Sequence, residues 1–97
     1  MTEQCTVVHC KKSPYDVYVG RPSVYGNPYK VGVDGVRGEC VELYRELFYT
    51  DQMKPVRELV ERTIKPGTIL GCWCSPNKCH GDVIAEYVNN GYRKPSQ

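Results

Sequence analysis

The densest group of reactive side chains lies near the end of the chain, between Gly71 and Asp82. Cys72 and Cys74 are two residues apart, and Cys79 and His80 follow after a short loop that contains a proline. Sulfur and nitrogen ligands in such a group suit a tetrahedral zinc ion, although the Cys-x-Cys spacing and the adjacent Cys-His pair are unusual for such a site. The first hypothesis is therefore a zinc site formed by Cys72, Cys74, Cys79 and His80.

A second hypothesis assigns the same segment to catalysis or anion binding. Cys79 and His80 are expected at the start of a helix, beside Lys78, where free backbone N–H groups and the helix dipole favour negative charge. This position lowers the pKa of a thiol, which makes Cys79 and His80 candidate catalytic residues and Asp82 a candidate ligand-binding residue. The alternative is structural: the cysteines pack as small apolar side chains, and His80 and Asp82 cap the helix.

The glycine-rich stretch from Gly20 to Gly38 holds a second group of polar residues. Glycines allow the backbone to approach a ligand closely, and an arginine can form two hydrogen bonds to a phosphate or carboxylate. Serine and asparagine offer further hydrogen bonds, and a tyrosine, either Tyr25 or Tyr29, can stack on a ring. An ordinary turn-rich loop with a solvated arginine is the alternative. The candidate ligand-binding residues are Gly20, Arg21, Ser23, Tyr25, Gly26, Asn27 and Arg37.

The hydrophobic pattern predicts three or four strands. Cys5–Cys10 is rich in β-branched residues, and Tyr15–Val19 alternates polar and apolar residues. Thr68–Cys74 is mostly apolar without polar alternation, which predicts a central strand covered on both sides. A further short strand is predicted at Tyr29–Val31.

Helical periodicity predicts three helices. Apolar residues recur at helical spacing in Glu39–Thr50, in Lys54–Ile64 and in His80–Asn90. Gly91 suits the position that follows a helix end. The polar tail from Tyr92 to Gln97 is expected to be loose.

This order of elements predicts one small α/β domain over residues 1–97, with a mostly parallel open sheet of three to four strands and about three helices. Ligands of such sheets bind beyond the carboxyl ends of the strands. That edge would receive the residues after His9, the loop that begins at Gly20 and the loop Ser75–Lys78. We therefore expect Arg21 and Cys79 to line one cavity.

Composition excludes several classes of protein. The 97 residues carry a formal net charge of +2, with 40% hydrophobic and 25% charged residues, as in ordinary globular domains. The positive residues are dispersed among acidic ones, which disfavours nucleic-acid binding. Neither a signal peptide nor a membrane span is visible, so a cytoplasmic location is expected. The six cysteines are expected to be reduced thiols, metal ligands or a reactive thiolate.

Three segments together resemble domain of unknown function 4326, a family found in bacteria and their phages: Tyr15–Ser23, Tyr25–Tyr29 and Leu70–Asp82. The resemblance covers nearly the whole chain and implies no particular activity. The Cys79-His80 pair, which follows a strand and a proline-containing loop, is also similar to the corresponding part of domain of unknown function 488. His9 and Cys10 fall outside both patterns.

Two functions are expected from these observations. The leading one is a small-molecule site for a nucleotide, nucleoside or sugar phosphate, in the host cytoplasm if the protein is phage-encoded. Arg21 and the third helix would bind the anion, Asn27 and a tyrosine would face the ring, and Cys79 or His80 would supply any transferase or hydrolase chemistry. The alternative is a non-enzymatic, zinc-stabilised module that binds a host protein.

Overall fold

A computed structural model describes residues 4–20, 23–29, 32–33, 35–73 and 79–95, without the side chain of Arg37. These residues form three strands, three α-helices and one turn of 3-10 helix between the first two helices. In chain order the elements are β1 (Thr6–His9), β2 (Val17–Tyr18), α1 (Arg37–Phe48), the 3-10 turn (Asp51–Met53), α2 (Lys54–Thr63), β3 (Ile69–Cys72) and α3 (His80–Asn89). The predicted small α/β fold with a parallel open sheet is confirmed.

The sheet has the order β1-β3-β2, and both pairings are parallel. Thr6 pairs with Ile69 at one end of β1, and Val17 pairs with Leu70 in β2. β3 is therefore the central strand, as its apolar run predicted. Because the strands are parallel, their carboxyl ends meet at one edge of the sheet, which we call the carboxyl edge.

The two faces of β3 have different surroundings, because successive side chains point to opposite sides of a strand. Leu70 and Cys72 are fully buried in one hydrophobic cluster with residues of all three helices. On the other face the ring of Tyr15 covers Gly71 so closely that a Cβ at residue 71 would lie 2.6 Å from it. The strand is thus covered by helices on one side and by a tyrosine on the other.

The core explains why the helices form where the periodicity predicted them. Their buried residues recur at helical spacing and face the sheet or each other. The fully buried large side chains are Tyr44 and Phe48 of α1, Val60 of α2, Ile64, Leu70 of β3, Val19, and Val83, Ile84 and Val88 of α3.

None of the described helices has the length and apolar character needed to cross a membrane.

Several boundaries differ from the predicted ones. α1 begins at Arg37 and therefore includes Gly38, because the carboxylate of Glu39 accepts a hydrogen bond from the backbone N–H of Val36 and caps the helix earlier than expected. Tyr29 lies in a bend rather than in a strand, and residues 30 and 31 of that predicted strand lie outside the described part of the chain.

The carboxyl end of α3 confirms one prediction and corrects another. Gly91 adopts a φ of 71°, and the backbone N–H of Tyr92 donates to the carbonyl of Tyr87, which is the glycine-terminated helix end expected there. The prediction of a loose tail was wrong for Tyr92. Its ring contacts Tyr87, and its hydroxyl donates to the Ile64 carbonyl at 2.8 Å, because the turn at Gly91 directs the chain back onto the core.

Candidate functional site

The loop that follows β2 meets the amino end of α3 at the carboxyl edge. The Nε2 of His80 donates to the carbonyl oxygen of Val19 at 2.5 Å, and the imidazole also packs edge-on against the ring of Tyr44. The backbone at Val19, next to Gly20, therefore lies beside the start of α3. Arg21 lies outside the described residues, so the cavity expected between Arg21 and Cys79 stays a prediction.

Cys79 precedes α3 and faces Cys72 at the end of β3. The two Sγ atoms are 2.9 Å apart, and both residues are buried: Cys72 is 0% exposed and Cys79 is 2% exposed. The hydrogen bond to Cys72 and burial both raise the pKa of the Cys79 thiol far above its usual value, and the nearby Asp82 raises it further. The expectation of an acidic Cys79 thiol was wrong, because burial and these neighbours outweigh the position at the helix end.

Asp82 already supplies negative charge to the amino end of α3. One of its carboxylate oxygens accepts the backbone N–H of Cys79 at 3.1 Å, and the thiol of Cys79 interacts with the backbone of Asp82 in return. This reciprocal arrangement is a capping box. Helix capping therefore explains the position of the Asp82 carboxylate. A role for Asp82 in ligand binding stays a prediction.

The four predicted zinc ligands are only partly brought together. Cys72 and Cys79 are in contact, whereas Nε2 of His80 is hydrogen-bonded to a backbone carbonyl. Cys74 lies outside the described residues. Within the described ranges, no three His, Cys, Asp or Glu side chains are placed to hold a metal ion. Nothing in this part of the chain supports zinc, which stays a prediction.

Tyr25 and Asn27 fasten the glycine-rich loop to the helices. The hydroxyl of Tyr25 is 3.1 Å from Oγ1 of Thr63, and the amide of Asn27 donates to the carbonyl of Cys40 while its oxygen accepts the N–H of Tyr29. Both side chains are 8% exposed. Their contacts lie inside the protein, so they shape the loop, and direct ligand contacts by them stay predictions.

The remaining predicted residues of this loop differ in their surroundings. A Cβ at Gly20 would lie 2.5 Å from the hydroxyl of Tyr18. Because glycine has no side chain, the Tyr18 ring can pack directly against the backbone of residue 20. Gly26 donates its backbone N–H to the carbonyl of Ser23. The hydroxyl of Ser23 is shielded from solvent and has no hydrogen-bond partner among the described residues. Arg37 opens α1, but its side chain is not described.

A group of aromatic and basic residues at the carboxyl edge was missing from the predicted site. We call it the edge cluster. Its centre is Trp73, which is 55% exposed and donates its indole N–H to the hydroxyl of Tyr18 at 2.8 Å. Strand alternation placed Trp73 on the face opposite Cys72, but it did not show which residues share that face. The edge cluster consists of His9, Lys11, Tyr15, Tyr18 and Trp73.

The other contacts of the edge cluster orient its polar groups. The ammonium of Lys11 lies 5.5 Å from the centre of the Trp73 ring, and His9 packs edge-on against the same ring. The backbone N–H of Lys11 donates to Nδ1 of His9, which leaves the proton of the neutral imidazole on Nε2. A flat ring, a cation and a hydrogen-bond donor are thus adjacent, a combination suited to an aromatic ligand that carries negative charge.

Comparison with known proteins identifies the family. The family model described as a domain of unknown function, DUF4326, matches residues 5–90. The chain is 36% identical over 98 residues to the "Uncharacterized 12.4 kDa protein in nrdA-td intergenic region" of Enterobacteria phage T4, an alignment that covers 96% of this chain and 85% of the phage protein. No solved structure matches the chain. The chain therefore belongs to the DUF4326 family.

Proposed function

We propose that this domain binds a nucleotide or nucleoside at the carboxyl edge of its sheet, with the base stacked on Trp73. The observation that carries the proposal is the exposed, oriented indole of Trp73, held by Tyr18 beside Lys11. A large aromatic side chain that is more than half exposed at the ligand-binding edge of a parallel sheet is well placed to contact a ring.

The orientation of Trp73 favours binding. Its indole N–H is already hydrogen-bonded to Tyr18, so a ligand does not have to satisfy that donor when it covers the ring. A side chain fixed before binding also loses less conformational entropy when the ligand arrives. The indole thus offers an apolar surface whose polar atom has a partner.

Charge near the ring favours an anionic ligand. The ammonium of Lys11 lies over the Trp73 ring, and Lys11 is exposed, so in the proposed complex it turns from the indole to the phosphate. Arg21 and Arg37 complete the proposed anion contacts as sequence-based candidates.

The proposal is for binding rather than for catalysis by Cys79. A buried thiol whose pKa is raised is mostly protonated at neutral pH, and the thiolate is the nucleophile. The imidazole of His80 is also occupied by the Val19 carbonyl. Both side chains are buried, so a ligand at the surface does not reach them without local opening of the structure.

Fluorescence titration tests the proposal directly, because Trp73 is the single tryptophan of the chain. Nucleoside monophosphates should change its emission in a saturable way. Ribose 5-phosphate and inorganic phosphate, which lack a base, should leave the emission unchanged and bind more weakly by calorimetry. The same titrations with nucleosides show how much of the affinity depends on the phosphate.

Variants separate stacking from general effects. Trp73→Ala should weaken nucleotide binding about fivefold to 150-fold by calorimetry, because stacking of a base on an aromatic side chain contributes about 1–3 kcal/mol. Trp73→Phe is the matched control, since it keeps an aromatic face and should retain most of the affinity. Unchanged affinity in Trp73→Ala, or no binding of any nucleotide by the wild-type protein, would contradict the proposal.

A further inference from the structure

We infer that Cys72 and Cys79 are a redox-active pair of thiols. A small-molecule disulfide such as oxidised glutathione oxidises them to a Cys72–Cys79 disulfide. The inference is independent of the proposed nucleotide site, because it depends only on the contact between the end of β3 and the start of α3. The two Sγ atoms already lie 2.9 Å apart in the reduced protein.

The position of the pair in the fold holds the two sulfur atoms together. Cys72 pairs with His9 in the sheet, so its backbone is fixed by β1. Cys79 is fixed by its hydrogen bond to the carboxylate of Asp82 and by the contact of the next residue, His80, with Val19. Two thiols held in contact behave as if each were present at a very high local concentration for the other.

The other described cysteines provide a contrast. Cys40 is as buried as Cys79, but its thiol is directed to the carbonyl of Gly35 at 3.6 Å. Cys5 is buried at the opposite end of β1, next to Asn89. Cys10 is partly exposed, and it contacts Cys72 through its backbone N–H, which donates to the Cys72 carbonyl. Among the described residues, the contact between two sulfur atoms is at Cys72 and Cys79, which predicts that their disulfide is the main product.

The reaction is a thiol–disulfide exchange in two steps. The thiolate of one cysteine attacks a sulfur of the small-molecule disulfide, forms a mixed disulfide and expels the first small thiolate. The second cysteine loses its proton to water and attacks the protein sulfur of the mixed disulfide, which expels the second small thiolate. Two protein thiols are oxidised, and one small-molecule disulfide is reduced to two thiols.

Burial makes the exchange slow in the folded protein. Both sulfur atoms are shielded from solvent, because Cys72 is 0% and Cys79 2% exposed. Small disulfides reach buried sulfur atoms only when the structure opens locally. We therefore expect the cross-link to form slowly in the folded protein and to become the dominant product at equilibrium.

Peptide mapping tests the inference on the whole folded chain. The protein is equilibrated in mixtures of oxidised and reduced glutathione, quenched with acid, alkylated and digested with trypsin. Cleavage after Lys78 separates Cys79 from the peptide that carries both Cys72 and Cys74. A Cys72–Cys79 cross-link joins these two peptides, whereas a Cys72–Cys74 disulfide stays inside one of them.

Variants then assign the sulfur atoms. Cys74→Ala should retain the cross-linked peptides and Cys72→Ala should lose them, while Cys40→Ala, the buried control, should match the wild type. In the wild-type protein the Cys72–Cys79 product should exceed every other disulfide about tenfold, because these two sulfur atoms start in contact. Fragmentation of the cross-linked wild-type peptides gives the same assignment if a variant does not fold. A dominant Cys74–Cys79 or Cys72–Cys74 product, or no preferred disulfide, would overturn the inference.

Discussion

The carboxyl edge of the sheet has two sides with opposite properties. On the helix side, Cys72, Cys79 and His80 are buried, and their polar atoms contact other groups of the protein. On the other side, the edge cluster leaves Trp73 55% exposed and Tyr15 42% exposed. The reactive residue types are on the buried side, whereas the accessible surface is on the side that contains aromatic rings.

This difference shows that residue type alone does not locate a binding site. Cysteine and histidine are chemically versatile, but burial raises the pKa of the Cys79 thiol and a backbone carbonyl occupies His80. Trp73 has no ionisable group, yet it is 55% exposed. We therefore expect substitutions on the buried side to change the stability of the protein, and substitutions in the edge cluster to change ligand binding and Trp73 fluorescence.

The largest stability effect is expected for His80→Ala. This change removes the hydrogen bond to Val19 and the edge contact with Tyr44, and it leaves a buried carbonyl without its donor. The free energy of unfolding should fall by about 2–3 kcal/mol, measured by urea denaturation. Trp73→Ala is the comparison variant and should lose about 1 kcal/mol or less. Equal losses in the two variants would remove the distinction between the two sides.

The next effect is a loss of stability at alkaline pH caused by a buried thiol. Burial raises the pKa of Cys5 from 9.0 in a free chain to about 11 in the folded protein. Between these values the unfolded chain has lost the proton and the folded protein has kept it, so stability falls as pH rises from 9 to 11. The contribution lost over this window is about 1–2 kcal/mol.

Cys5→Ala isolates this contribution. The variant lacks the titrating thiol, so its free energy of unfolding should fall less steeply across the alkaline window than that of the wild type. Cys10→Ala removes a partly exposed thiol and serves as the control for the loss of a cysteine side chain. Parallel pH profiles for Cys5→Ala and the wild type would show that the burial of Cys5 does not govern alkaline unfolding.

The sequence predicted the fold better than the site, for a physical reason. Helices and strands follow from local periodicity, and the central position of β3 followed from its continuous apolar run. Whether a thiol at a helix start becomes acidic depends on what packs on it from elsewhere in the chain. The contact between Cys79 and Cys72 reverses the local effect of the helix end, and spacing alone does not reveal such a contact.

Some of the missing information was present in the sequence. Asp82 lies three residues after Cys79, which is the spacing of a capping box, and the structural alternative for this segment already assigned Asp82 to the helix cap. Alternation along β3 also separated Trp73 from Cys72. The neighbours of Trp73 were not predictable, because Tyr18 and Lys11 reach it through parallel pairing of strands that are distant in sequence.

A smaller effect is expected for Gly20→Ala, which tests how the edge cluster is held. The added Cβ would lie 2.5 Å from the hydroxyl of Tyr18, so this ring must move away from its contact with Trp73. Tyrosine can rotate at modest cost, and we expect a loss of about 0.5–1 kcal/mol together with a shifted Trp73 emission maximum.

Gly38→Ala is the matched glycine control. A Cβ there meets no atom of the described residues within 4 Å, and residue 38 lies in α1, so alanine should raise stability by up to about 1 kcal/mol and leave the emission of Trp73 unchanged. An emission shift in Gly38→Ala as large as that in Gly20→Ala would show that the fluorescence does not report on the Tyr18 contact.

The smallest stability effect is expected for Lys11→Gln, which tests the charge beside the ring. Lys11 is exposed, so the free energy of unfolding should change by less than about 0.5 kcal/mol. The ammonium near Trp73 should attract iodide, and its removal should reduce quenching of Trp73 by iodide while quenching by neutral acrylamide stays the same. Equal changes with both quenchers would mean that the substitution alters the exposure of Trp73 rather than the local charge. A selective loss with iodide would place a usable positive charge beside the proposed base-stacking surface, where a nucleotide phosphate requires it.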